Sequence, residues 1–147
     1  MDSTMAAHRN TAFREQKMLE QAKKSILDSG DFLTLDQIAQ RLGLPLMTLI
    51  AALYEWETEG HIFSIQHAGC SLFPAYVLQD GTEYGLIPDL KTILDVLRAK
   101  KDGWGIAFWF ASSNGYIGNR RPQDLLCSDA DKVLRAARDE VSGITHG

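Results

Sequence analysis

The sequence predicts a mainly α fold with one small β-hairpin, in which a unit of helices and hairpin precedes a small helical bundle. Three observations lead there. Thr34-Leu35-Asp36-Gln37 is a helix start signal, followed by a glycine turn and a second apolar helix. His61 to Leu78 is rich in β-branched and aromatic residues. From Asp89 onward, apolar residues recur at helical spacing between Gly, Asp and Pro punctuation. The expected division is an unstructured 1–9, a helix-and-hairpin domain at 10–85 and a helical domain at 86–147.

Each element follows from its residues. Asn10 can cap a first helix running to about Ser29, with Gly30 as its stop and Leu19, Ala22 and Ile26 as its apolar stripe. In the second helix the Thr34 hydroxyl can accept the Gln37 amide while Gln37 reaches back. Gly43 permits a left-handed turn, and Pro45 suits the first turn of a third helix with Leu46, Leu49, Ile50, Leu53 and Trp56 at helical spacing. Ile62, Phe63 and Ile65, then Leu72, Phe73, Tyr76 and Val77, predict two strands joined at Ala68-Gly69-Cys70. Gln79 to Gly85 reads as a polar loop around Asp80-Gly81. Helices are then expected at Asp89–Lys101, Trp104–Ser112, from Pro122, and at about Asp129–Val141 behind a Ser128 cap.

Composition narrows the function classes. The 147 residues allow one sizeable core or two small ones. No apolar run approaches the ~18 residues of a membrane span, and the N-terminus lacks the apolar centre of a secretory signal. Cys70 and Cys127 lie far apart and read as free thiols of a reducing cytoplasm. Residues 1–88 hold 6 Lys and Arg against 11 Asp and Glu, whereas 89–147 hold 9 against 8. The first half is thus acidic overall, with its bases gathered on Arg9, Arg14, Lys17, Lys23 and Lys24.

Ala39, Gly43, Leu44 and Leu49 have the layout of a helix-turn-helix, in which a small residue lets two helices approach and a glycine makes the turn. With the hairpin behind it, the unit resembles a winged helix-turn-helix. Its candidate DNA contacts are Arg41, Thr48, Lys23 and Lys24. Against DNA stands the third helix: Pro45 to Gly60 contains no Lys or Arg and three glutamates, Glu55, Glu57 and Glu59. Phosphate contacts supply much of the affinity of such domains, and acid opposes them.

The second half reads F-P-A-Y-V-L-Q-D-G, then W-G-I-A-F-W-F, S-S-N-G-Y-I-G-N-R-R-P-Q-D-L-L and D-K-V-L-R-A-A. Over about residues 73–140 this succession resembles the toxin-binding domain of the Xre/MbcA/ParS antitoxin family. Trp104, Trp109, Asn114, Gly118, Arg121, Pro122, Asp124, Leu125, Leu126, Val133 and Leu134 fall on the family pattern. Ser113 and Asn119 depart from it, where Pro and a second Gly are usual. The resemblance implies a cytoplasmic bacterial antitoxin that neutralises a toxin of the RES type, or a related ADP-ribosyltransferase-like type, by occluding its active site. Autorepression of the operon, and hence operator DNA and a homodimer, are further partners it implies. Candidate toxin contacts are Arg120 and Arg121, which the sequence places in a loop open to a carboxylate or phosphate, together with Arg135, Arg138, Ser142, Ile144 and His146. The alternatives are a DNA-binding transcriptional regulator and a repurposed adaptor subunit of another complex.

No catalytic residues, cofactor or metal are expected. His61, His67 and Cys70 match no zinc spacing. Gly103-Trp104-Gly105 lacks the remainder of a phosphate-binding loop. Asp129 and Asp131 open a helix, where capping accounts for them.

Overall fold

The computed structural model describes residues 2–79 and 85–143, with backbone alone at 2–8, 79 and 85. The Asp80-Gly81 turn and the candidate residues Ile144 and His146 lie outside the described residues. The fold is mainly α with a small antiparallel sheet, as the sequence predicts.

Helix α1 (Asp2–Asp28) is 27 residues long, roughly 40 Å at 1.5 Å per residue. It begins well before Asn10, which corrects the expected unstructured 1–9. Met5, Ala6 and Ala7 favour helix, and no Gly or Pro interrupts the chain before Gly30. Every residue from 9 to 22 is exposed, and the helix reaches the core near its C-terminal end, where Ile26 is buried and Leu27 packs beside it.

Strand β1 (Phe32–Leu33) pairs antiparallel with a later strand and is too short to leave a periodic signal. Helix α2 (Leu35–Leu42) starts on the expected capping box, with Thr34 N–H donating to Gln37 Oε1 at 2.9 Å and Gln37 N–H donating to Thr34 Oγ1 at 3.3 Å. Gly43 ends it at φ 68° and donates to the Ala39 and Gln40 carbonyls. Helix α3 (Leu46–Thr58) follows, its buried side formed by Leu49 and Leu53.

Strands β2 (Ile65–His67) and β3 (Cys70–Pro74) form the hairpin, with His67 opposite Cys70. Ala68 and Gly69 make the turn, both at positive φ (51° and 77°), as a two-residue hairpin with the right strand twist requires. The sheet order is β1-β3-β2. Ile62 and Phe63, expected in a strand, are instead buried in the loop before β2. The ends of the expected 79–85 loop also pair, as β4 (Leu78–Gln79) with β5 (Gly85–Leu86).

Helices α4 (Leu90–Arg98), α5 (Gly103–Ala111), α6 (Pro122–Leu125) and α7 (Ala130–Ser142) follow. Asp129, not Ser128, caps α7 by accepting the Lys132 N–H at 3.2 Å; the Ser128 hydroxyl is turned back to the Leu125 carbonyl. The buried residues of both halves form one cluster. Its centre is aromatic. Phe110 of α5 stacks on Phe63 at 5.9 Å and lies 5.4 Å from Tyr76. Helix α5 approaches the segment before β2 so closely that a Cβ on Gly103 would collide with the Ser64 carbonyl oxygen. Arg98 ties α4 to the end of α3, donating to the Gly60 and Ile62 carbonyls at 2.8 and 2.9 Å.

Candidate macromolecular interface

Two surfaces follow from this arrangement. The first is α3, which occupies the recognition-helix position of the winged unit. Ala39 is buried beneath it and Leu44 N–H donates to the Ala39 carbonyl at 3.0 Å, so the two helices close on each other as the small residue allows. The outward face is apolar. Leu46 is 41% exposed, Ile50 40%, Tyr54 73% and Met47 76%. Of the five apolar residues at helical spacing, Leu49 and Leu53 are buried, while Leu46 and Ile50 are left partly uncovered. At 100° per residue Leu46 and Ile50 stand beside Leu53 at the rim of the buried side, and Met47 and Tyr54 stand farther round the helix. Glu57 lies on the same outward face near its C-terminal end, and Glu55 at its edge. Partial desolvation raises the Glu57 carboxyl above its ordinary range.

The DNA candidates do not assemble on this helix. Thr48 is exposed on α3, and Arg41 is exposed in the last turn of α2. Lys23 instead sets its ammonium 5.0 Å over the Trp104 ring of α5, a cation–π contact that turns it toward the protein. Trp104 in turn donates its indole N–H to the Gln66 carbonyl of β2 at 3.2 Å. Lys24 lies 3.9 Å from Asp28, an exposed pair.

The second surface is the loop between α5 and α6 with the adjoining α7. Asn114 organises the loop: its side chain accepts the Tyr116 N–H at 2.9 Å and its backbone carbonyl accepts the Asn119 N–H at 2.8 Å. Gly118 and Asn119 both take positive φ, a conformation glycine and asparagine tolerate. Tyr116 is left 55% exposed above a groove of about 580 Å³ lined by Lys101, Phe108, Trp109, Ser113 and Glu140. Lys101 and Glu140 close one end of it as an ion pair at 3.1 Å.

The expected pair of open arginines is not formed. Arg121 is held by Asp124 in a two-point bridge, Nε to Oδ2 at 2.8 Å and Nη2 to Oδ1 at 2.9 Å. The reason is the short turn at Pro122, which puts residues 121 and 124 on one side of α6. That hydrogen bond holds the Asp124 carboxyl below its ordinary range. Arg135 is likewise paired, with Asp131 at 2.8 Å. Arg120 and Arg138 are exposed, and the Ser142 hydroxyl donates to the Asp139 carbonyl.

Two buried polar atoms, the Tyr76 hydroxyl and the Trp109 indole nitrogen, have no hydrogen-bond partner among the described residues. Burial, with Asp31 adding to it, pushes the Tyr76 hydroxyl well above the usual tyrosine range. Among the described residues, no group of three His, Cys, Asp or Glu side chains could hold a metal. No helix among them is long and apolar enough to cross a membrane.

The outward apolar face of α3 went unread in the sequence, although a signal was present. Leu46, Ile50, Tyr54 and Met47 continue round the helix from the buried Leu49 and Leu53, so its apolar arc is wider than the core covers.

No family model and no curated protein matches the chain. A solved structure that it resembles is the NMR structure of Rv2175c, at 21% identity and a TM-score of 0.58, over 74% of this chain and 80% of that one. The likeness is one of fold.

Proposed function

We propose that this chain is a non-catalytic regulator of the antitoxin type, which holds a RES-type or related ADP-ribosyltransferase-like toxin and covers its active site. The observation that carries the protein-binding part is the make-up of α3. A helix in the recognition position with Leu46, Met47, Ile50 and Tyr54 exposed, two glutamates, a third as its C-cap and no base gains its affinity from apolar burial, and phosphate would be repelled. The toxin class rests on the sequence resemblance over residues 73–140. On that part of the molecule the loop around Tyr116 and Arg120, with Arg138 of α7, is the surface offered to it.

Co-expression with a RES-type enzyme tests this. The expected result is co-purification and relief of toxicity. Arg120→Glu with Arg138→Glu is expected to weaken capture by roughly tenfold or more, as loss of interface arginines commonly does. Failure to hold such an enzyme, with tight binding to one duplex sequence, would favour a second reading. That reading, a DNA-binding regulator, draws on the helix-turn-helix geometry at Gly43 and on exposed Thr48. It requires a steep loss of duplex affinity with added salt.

A further inference from the structure

Helix α3 is asymmetric along its axis as well as around it. Met47, Ala51, Tyr54 and Thr58 recur at i, i+4, i+7 and i+11, and at 100° per residue they fall within about 60° of one another. All four are exposed and none is charged. The Thr58 hydroxyl already donates to the Tyr54 carbonyl at 2.7 Å. Ile50 borders this stripe. Glu57 and Glu55 flank it, one on each side. Glu59 lies off the stripe, 3.2 Å from His61.

Charge is sorted along the chain in the other direction. From Gln37 to Tyr54 Arg41 is the one charged residue, and then Glu55, Glu57 and Glu59 follow within five positions. The start of α3 therefore has no acid in its first turn, and Pro45 has no side-chain group to cap it. Acid favours the positive end of a helix dipole and is unfavourable at the negative end, where α3 carries it. An antiparallel neighbour of the same sequence corrects both ends at once, because the acidic end of each helix then lies beside the acid-free start of the other. A parallel neighbour would set glutamate against glutamate, and duplex DNA would set phosphate against them.

We propose that α3 packs antiparallel on α3 of a second copy, about a two-fold axis that passes between Ile50 and Ala51. Met47 of one copy then lies beside the partner's Tyr54, and Ala51 lies beside the partner's Ala51. The small Ala51 side chains let the helix axes approach to the near end of the roughly 8–10 Å range. The two Glu55 residues stand nine positions apart along the axis, roughly 13 Å at 1.5 Å per residue, which exceeds a Debye length of about 8–10 Å. A 13-residue helix with the turn before it covers less than the roughly 800 Å² per partner of a standard interface, so the dimer is weak. The pairing rests on the proposed reading of α3 as a protein-binding face, and it uses no residue of the Tyr116 and Arg120 surface.

Sedimentation equilibrium of the full chain, from about 5 µM to about 0.5 mM, is expected to show monomer and dimer with a dissociation constant on the order of 10–100 µM. Ala51→Glu sets two carboxylates together at the axis and is expected to leave only monomer. Position 51 is exposed and Glu is a good helix former, so helical circular dichroism is expected to persist. Should that variant fail to fold, Tyr54→Ala is expected to raise the dissociation constant roughly tenfold. Cross-linking reads the register. With the exposed Cys70 and Cys127 changed to serine, Ala51→Cys is expected to give a disulfide-linked dimer in air, since the axis brings the two positions within the about 4.4–6.8 Å Cα separation that a disulfide takes. Thr48→Cys, off the stripe, is expected to stay monomeric on a non-reducing gel.

An unaltered chain that stays monomeric over the whole range would overturn the proposal. So would an Ala51→Glu variant that pairs as well as the unaltered chain, or an Ala51→Cys variant that cross-links no better than Thr48→Cys. Capture of a RES-type enzyme on the same samples separates this pairing from the reading on which it rests. A monomeric unaltered chain whose capture of the enzyme is lost on Ala51→Glu keeps α3 as a protein-binding face and overturns the dimer alone. A dimer with the expected cross-link that holds no such enzyme supports the pairing while removing the toxin reading.

Discussion

Helices α3 and α5 are both strongly apolar, yet they end in opposite surroundings. Helix α5 has Ile106, Ala107, Trp109 and Phe110 buried, with Phe110 wedged against Phe63 and Tyr76. Helix α3 buries Leu49 and Leu53 while Met47 and Tyr54 stand about three-quarters exposed. The difference is a matter of what lies across from each. Helix α5 has the hairpin on one side and α4 and α6 on others. Helix α3 has α2 beneath it and open space outside. Apolar content therefore describes what a helix needs, and the fold decides whether the need is met within the chain or left for a partner.

The comparison can be broken most forcefully at α5. Phe110→Ala removes a fully buried ring, and a loss of about 3–5 kcal/mol is expected in chemical denaturation. A loss below about 1 kcal/mol would mean that α5 is not the centre of the core. Next comes Gly103→Ala, whose new Cβ meets backbone oxygen rather than a movable side chain. Alanine ordinarily favours helix, so destabilisation here, by roughly 1–3 kcal/mol, is the mark of the close approach. An unchanged or raised melting temperature would show that α5 sits farther from Ser64.

A smaller effect is expected where Arg121 meets Asp124. The folded-state carboxyl is held below its ordinary value, chiefly by the Arg121 hydrogen bond. Its stabilisation is therefore fully present above the unfolded carboxyl range and is lost as pH falls through the depressed folded value. Both side chains are nearly half exposed, so the amount is discounted to about 0.5 kcal/mol. Arg121→Met is expected to remove that part of the acid dependence, as read by melting temperature between pH 5 and pH 2. Acid profiles that superimpose would contradict it. The smallest expected effect sharpens the contrast: Tyr54→Ser, at dilutions where no partner is bound, should change stability by no more than about 0.5 kcal/mol. A loss like that of Phe110→Ala would show that the α3 face is covered within the chain.

Much of the architecture was legible residue by residue. The capping box at Thr34 and Gln37, the left-handed Gly43 and the Ala68-Gly69 turn are each closed by groups within a few positions of one another. Such signals survive in a linear reading because their partners are neighbours. Helix α1 was legible in kind but not in its start, since Asn10 caps or continues a helix according to what precedes it. The candidate site was read less well. Arg121 and Arg135 are occupied by Asp124 and Asp131, which sit three and four positions away. That pairing was within reach of a spacing argument and was outweighed by the picture of an open loop.

What the amino-acid order determined by itself was therefore the set of helices, the hairpin and their ends, because those depend on backbone hydrogen bonds and steric limits acting over one turn. Only the tertiary structure decided which side of α3 is left uncovered, that Lys23 turns onto Trp104, and that Gly103 must lack a side chain. Each of those outcomes rests on contacts between residues some 40 to 80 positions apart or on their absence, and no local rule carries that information.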